Sequence, residues 1–355
     1  MNFPVSIVLP TKDRLALLKC TLECILPQLG EEDEILVLVD GPQDQSFGYL
    51  QSLTNRNVRL LHPTERLGGF SHYRLLFGAA KHECIVMVHD DELYHGNLLN
   101  HVREAFASDS ELTFINTGQL VVWAGHNLII QKNIFFPEEK KTDGKTWASR
   151  EIGQGMRFNC SCLVFRRDQE SLEVLTRTQI SADNLFVALL AIKGIVLELP
   201  IFGSTWLLHS GNTSRRDYLK IGHAALWQAF DGLRTSGVLG FLQSDYIDAQ
   251  RKKAVQIYAR NAVAAAAVDG NKEGYKECLR QIKLAGGETL LLRVTLLPGF
   301  WTLFVFLVRL AKRLTPKGRS SQQLGDTDPN DLSSLLNLPD AIVDSWKAIG
   351  QNAGR

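Results

Sequence analysis

The sequence has little net charge. Its 39 lysines and arginines stand against 38 acids in 355 residues, so the chain as a whole has no attraction to nucleic acid or to an acidic surface, and any basic patch must be local. Cysteine is scarce. The six thiols, Cys20, Cys24, Cys84, Cys160, Cys162 and Cys278, form neither a disulfide framework nor a paired CxxC metal ribbon, and they read as reduced core residues. A secretory signal is absent from the opening MNFPVSIVLPTKDR, which lacks a basic segment and whose short apolar run is broken by Pro4 and Ser6. The first domain is therefore expected in the cytosol. No internal repeat occurs, which excludes repeat architectures. What remains is a globular chain with 45% apolar residues, long enough for one large or two ordinary domains.

Apolar runs and their breaks predict the elements of the first half. Val5 to Leu9 is a β-branched run closed by Pro10, and Leu15 to Leu26 repeats apolar residues at helical spacing before Pro27. EILVLVDG gives a second buried strand stopped by Asp40 and Gly41, and Val58 to Leu61 a short third. Ser71 to Lys81 reads as a helix, and Ile85 to Val88 as a fourth strand. Strands alternating with helices imply a doubly wound, mostly parallel sheet, in which ligands bind beyond the carboxyl ends of the strands. Thr11, Asp40 and the Asp90–Asp91 pair all fall at such ends. The stretch IVMVHDDEL, a buried strand running into three acids, calls for a cation to face them.

Farther along the pattern becomes mixed. After a helix at Asn97 to Ala107, ELTFINTGQLVVWAG and NLIIQKNIFF flank a predicted hairpin turn at Gly125–His126–Asn127, and Glu138 to Arg150 reads as a loop. RFNCSCLVFRRD is a further strand, SADNLFVALLAIKG a helix capped by Ser181 and stopped by Gly194, and IVLELP a final strand. From about Asp217 the strand signal disappears and Ala-rich helices dominate up to Leu284.

Four segments in this order, VSIVLPTKDR, DEILVLVDGPQD, ERLGGFSHYRLLFGAAKHECIVMVHDDEL and SADNLFVALLAIKG, resemble the inverting glycosyltransferases of family 2, over roughly residues 3–215. The resemblance implies a GT-A fold, a nucleotide-sugar donor and Mn2+ or Mg2+. The family's D-x-D motif falls on VHDD, with Val88 at the usual first acid and Asp90 and Asp91 kept. Asp91 and Asp90 are then the metal ligands, and Asp90 also faces the donor. Thr11 begins the nucleobase loop, Asp40 lies near the base or ribose, and Arg74 faces the diphosphate. His209, in WLLHSGNTSR, matches a histidine that approaches the metal or diphosphate. Asp183 takes the place of the general base, with Ala182 where the family usually has Glu.

The chemistry suits these residue types. A nucleoside diphosphate gathers negative charge as it leaves, a divalent cation bridging the phosphates stabilises it, and such cations take hard oxygen ligands. Inversion needs one carboxylate to take the acceptor proton. Plainer roles remain open for each residue: Asp90, Asp91 and Glu92 as helix-capping acids, Asp40–Gly41–Pro42 as an ordinary turn, Arg74 as a surface arginine, Asp183 as part of a cap begun by Ser181, and His209 as a structural histidine.

The remaining chain is expected to divide into a helical region over 216–287, an apolar and basic segment over 288–319, and a polar linker with a short helix over 320–355. Thr289 to Val308 contains one charge, Arg293, and is followed by Arg309, Lys312, Arg313, Lys317 and Arg319. Pro298–Gly299 divides this run, and a single span would put the catalytic domain on the wrong side of the membrane from cytosolic donors. An interfacial anchor at the inner face of the cell membrane satisfies both facts; a buried hairpin or an oligomer interface is the alternative. The expected activity is transfer to a glycan or lipid-linked acceptor in cell-surface polysaccharide synthesis. Two other readings stay in play, a nucleotidyltransferase and a non-catalytic sugar-binding or scaffold relative.

Overall fold

The computed structural model describes residues 3–67, 71–123, 129–154, 157–177, 182–208, 240, 245–250, 252, 270–284, 297, 300–314 and 332–353. The chain divides into two compact units, one of residues 1–151, 156–210 and 322–355, the other of 152–155 and 211–321.

The first unit is built on a sheet of nine described strands. β1 (Val5–Thr11), β2 (Glu34–Val39), β3 (Val58–Leu61) and β4 (Cys84–Val88) run parallel in the order β3-β2-β1-β4. Helices α1 (Leu15–Ile25), α2 (Gln45–Ser52) and α3 (Ser71–Ala79) connect them. Every residue of β2 and β4 is buried, which is why both read as unbroken apolar runs rather than alternating ones. The parallel pairing aligns their carboxyl ends: Thr11 lies opposite Val39, and the Asp40 N–H donates to the Thr11 carbonyl at 3.0 Å.

Beyond β4 the sheet becomes mixed. Next in sequence come α4 (Leu98–Ser108), β5 (Leu112–Trp123), β6 (Ile129–Ile134), β7 (Lys140–Asp143), α5 (Gly144–Gln154), β8 (Cys162–Arg166), α6 (Gln169–Arg177), α7 (Ala182–Ala191) and β9 (Ile195–Leu208). The sheet continues β4-β8-β5-β9-β7, with β6 paired to β5. β5 and β6 are antiparallel with Trp123 opposite Ile129; the predicted turn at 125–127 lies outside the described residues.

Two expectations are corrected. The stretch 138–150 is not a loop, because β7 adds an edge strand antiparallel to β9 and Asp143 then caps α5 through Thr146. An edge strand as polar as KKTD carries no apolar period, so only its pairing makes it a strand. The final strand also runs well past Pro200, to Leu208. Pro200 is tolerated where the β5–β9 register shifts around Gly118, whose added Cβ would come within 2.9 Å of the Ile201 carbonyl oxygen.

The C-terminal stretch of this unit holds two helices, Leu332–Leu336 and Asp340–Ala353. Leu332, Leu336, Val343 and Trp346 enter the same apolar core as α1 and β1. The second unit contains helices at Lys272–Leu284 and Phe300–Leu314. In chain order these four are α8 (Lys272–Leu284), α9 (Phe300–Leu314), α10 (Leu332–Leu336) and α11 (Asp340–Ala353). Tyr275 on α8 packs edge-on against Trp301 and Phe304 of α9, at 5.0 and 5.6 Å between ring centres.

Candidate active site

The turn His89–Asp90–Asp91–Glu92 leaves β4 at the carboxyl edge of the parallel strands. Its three acids are buried, so each of their polar groups must find a partner. The Tyr94 hydroxyl accepts from the His89 N–H at 2.6 Å and donates to the Ser161 carbonyl at 2.8 Å. Trp346 Nε1 donates to the Asp91 carbonyl at 3.0 Å, and Thr21 Oγ1 to the Glu92 carbonyl at 2.8 Å. The Glu92 carboxylate accepts from Thr205 Oγ1 at 3.0 Å and from the Leu207 N–H at 2.9 Å. The acids therefore do not cap α4, whose first residue follows Asn97 without any side-chain capping bond.

Asp90 is held by β1 and the loop after it. Thr11 Oγ1 donates to Asp90 Oδ2 at 2.7 Å, and the Lys12 N–H reaches the same oxygen at 3.4 Å. Arg14, which sequence reasoning passed over, brings one guanidinium nitrogen to Asp90 Oδ1 at 3.1 Å and to Asp91 Oδ2 at 2.5 Å. KDR reads as an ordinary solvated turn. The one signal that could have found Arg14 was its place three residues past a strand end that faces three acids.

Burial and crowding set the electrostatics. Burial, followed by the Asp91 charge, pushes Asp90 up to about 6, against the pull of Arg14 and Thr11. Glu92 is raised well above the carboxylate range, chiefly by burial and then by Asp91. Burial would depress the Arg14 guanidinium, but Asp91 and Asp90 outweigh it and its pKa is raised. His89 is depressed by burial. His72, whose two ring nitrogens are buried without a hydrogen-bond partner, falls to about 4, also by burial. Ligand atoms of His89, Asp91 and Glu92 lie within 4.8 Å of one another. Glu92 is the weakest of the three donors, because its Oε2 already accepts two bonds from β9.

Asp40 closes the other side of the crevice. Its Oδ1 accepts from the Leu67 N–H at 2.7 Å, and Gly41 has φ 137°, a conformation that glycine adopts without strain, so the turn and the buried carboxylate come as one feature. Asp183 is half-buried in the first turn of α7. The buried Tyr73 hydroxyl, raised far above its ordinary range mainly by burial, also feels the charges of Asp90, Asp91 and Asp183. Asp183 is thus within electrostatic reach of Tyr73. Arg74 lies on the exposed side of α3, and His209 and Ser181 lie outside the described residues.

The family model described as glycosyl transferase family 2 matches residues 6–168, from β1 through β8. No curated protein matches the chain in sequence. Among solved structures, the chain resembles S. aureus TarS 1-349 in complex with UDP-GlcNAc, with 12% identity and a TM-score of 0.57, covering 87% of this chain and 91% of that one. It also resembles S. aureus TarS at 13% identity and a TM-score of 0.52, where the same 87% of this chain spans 52% of TarS. A third similar structure is the mannosyltransferase PcManGT from Pyrobaculum calidifontis in complex with GDP-Man and Mn2+, at 15% identity, a TM-score of 0.48, and 88% of each chain. Residues 6–168, which carry the acidic turn with Thr11 and Arg14, are a glycosyl transferase family 2 domain of the GT-A fold.

Proposed function

We propose that this glycosyltransferase moves a sugar, with inversion at the anomeric carbon, from a nucleoside diphosphate donor to a hydroxyl of a glycan or lipid-linked acceptor. The observation that carries the reading is the meeting of Thr11, Arg14, Asp40, Asp90 and Asp91 at the carboxyl ends of parallel strands. A divalent cation fits these residues. Hard carboxylate oxygens of Asp90 and Asp91 lie close enough in a buried turn for one Arg14 nitrogen to meet both. Asp90 and Asp91 would hold Mn2+ or Mg2+, with His89 beside them, and His209 is the further ligand proposed from sequence. Bound there, the ion would supply positive charge against the diphosphate leaving group.

The chain's own groups do the rest. Arg14 holds both carboxylates in place and offers a second positive charge toward the diphosphate. Asp40 and Thr11 orient the nucleoside end, Arg74 reaches the diphosphate from α3, and the Asp183 carboxylate takes the acceptor proton as the hydroxyl attacks. Tyr73, buried on α3, would help exclude water from the site.

The acceptor side is read from α9. Phe300, Leu303, Phe306, Leu307 and Leu310 recur on one exposed face, opposite Trp301, Phe304 and Val305, which turn inward. With Arg309, Lys312 and Arg313 on the same helix, this face suits an anionic membrane surface, where a lipid-linked acceptor would lie. Among the described residues no helix is long and apolar enough to cross a membrane. Attachment at the inner face of the cell membrane follows from this reading.

The test is a screen of UDP-GlcNAc, UDP-glucose, UDP-galactose and GDP-mannose with Mn2+, Mg2+ or EDTA, reading nucleoside diphosphate release and the anomeric configuration of the product. Metal-dependent release with an inverted product is expected. Release of a sugar phosphate, with the nucleoside monophosphate handed on, would favour a nucleotidyltransferase instead, and donor binding without turnover a non-catalytic relative.

A further inference from the structure

The acidic turn is held partly by a segment about 250 residues away in sequence. Trp346 on α11 is fully buried, and its indole N–H donates to the backbone carbonyl of Asp91. Five residues on, the Gly96 N–H donates to the Leu336 carbonyl at 2.7 Å. The backbones touch there: a Cβ on Gly96 would come within 2.0 Å of the Asn337 oxygen, and Asn337 itself turns with φ 52°. Two bonds from α10–α11 thus bracket the stretch from Asp91 to Gly96. Leu332, Leu336, Val343 and Trp346 seat the pair in the core.

We propose that α10–α11 is a strap that sets the conformation of the acidic turn, with Trp346 as the positioning residue for Asp91. This rests on the reading of Asp90 and Asp91 as the cation site. A carbonyl fixed by one donor fixes the peptide plane, and with it the direction in which the Asp91 side chain leaves the backbone. The position calls for tryptophan specifically: the apolar body fills the core, and the N–H satisfies an oxygen that water does not reach. By linkage, whatever the strap contributes to cation binding, cation binding returns to the strap.

The test replaces Trp346→Phe, which keeps most of the ring volume and removes the donor. The probe is Mn2+ alone, followed by electron paramagnetic resonance of the free ion in the full-length protein. Affinity should fall about tenfold, the lower range for loss of a partner that orients a ligand. Phe106→Leu is the control, because it loosens the core where Phe106 stacks on Phe3, at the opposite end of the strands. The control should keep wild-type affinity. Unchanged affinity in Trp346→Phe, or an equal loss in the control, overturns the strap. Failure of the wild-type protein to bind Mn2+ overturns the cation site itself, and the strap's role with it. If Trp346→Phe does not fold, exchange of the Trp346 indole proton in the wild-type protein decides: it should slow severalfold in Mn2+, and an unchanged rate refutes the coupling.

Discussion

Replacing Asp90→Asn should make the metal-free protein more stable at neutral pH while removing cation binding. Asp90 is 5% exposed, and its pKa rises from the ordinary 3.8 to about 6. That rise corresponds to about 3 kcal/mol against the charged form, at 1.36 kcal/mol per tenfold. Asparagine keeps one acceptor oxygen, for Arg14, turns its NH2 toward the Thr11 hydroxyl, which can accept instead, and loses charge assistance, a cost of about 1–2 kcal/mol. The net gain is about 1–2 kcal/mol, or about 5 °C in Tm for a unit of this size. Between pH 4 and 6 the native protein holds the Asp90 proton more tightly than the unfolded chain does, so this group lowers wild-type stability as pH rises through that window. The variant has no such slope. It should be more stable than wild type at pH 7 and lose that advantage as pH falls, becoming slightly less stable by pH 4, measured by thermal melts in EDTA. Adding Mn2+ should raise the wild-type Tm alone. A variant less stable than wild type at pH 7, or a difference independent of pH, would refute the claim that burial and the Asp91 charge strain this carboxylate.

Three further outcomes follow from the same geometry. Arg14→Gln removes the cation that pairs with both acids, so the metal-free protein should lose about 1 kcal/mol at neutral pH, discounted for the partly exposed guanidinium, and gain more Tm from Mn2+ than wild type does; equal Mn2+ responses would count against it. Asp183→Asn should lower kcat by about 10²–10⁴ with donor KM little changed, whereas Asp40→Asn, which keeps an acceptor for the Leu67 N–H, should raise donor KM more than it lowers kcat; a steady-state comparison of the two separates the assignments. Phe306→Glu on the exposed face of α9 should abolish flotation with anionic vesicles while leaving donor hydrolysis intact, and undiminished flotation would mean that this face meets no membrane. The point charge is the cleaner perturbation, because cutting the chain after Gly287 would also remove α10 and α11 from the core of the first unit.

The sequence by itself determined the parallel half of the sheet and the acidic turn at its carboxyl edge. Continuous apolar runs in β1, β2 and β4 mark strands buried on both faces, and the polar residues that end them, Thr11, Asp40, Asp90 and Asp91, gather at one edge because parallel pairing aligns strand ends. Only the tertiary structure decided what those acids touch. Arg14 sits in a loop whose local sequence resembles any solvated turn, β7 is an edge strand with no apolar period, and Trp346 and Thr205 reach the turn from remote positions. Periodicity reports which face of an element is buried, and it carries no information on which distant donor will satisfy a buried carbonyl or carboxylate. That choice is made by packing, when the turn leaves water and each of its oxygens must take a partner from whatever element lies across from it.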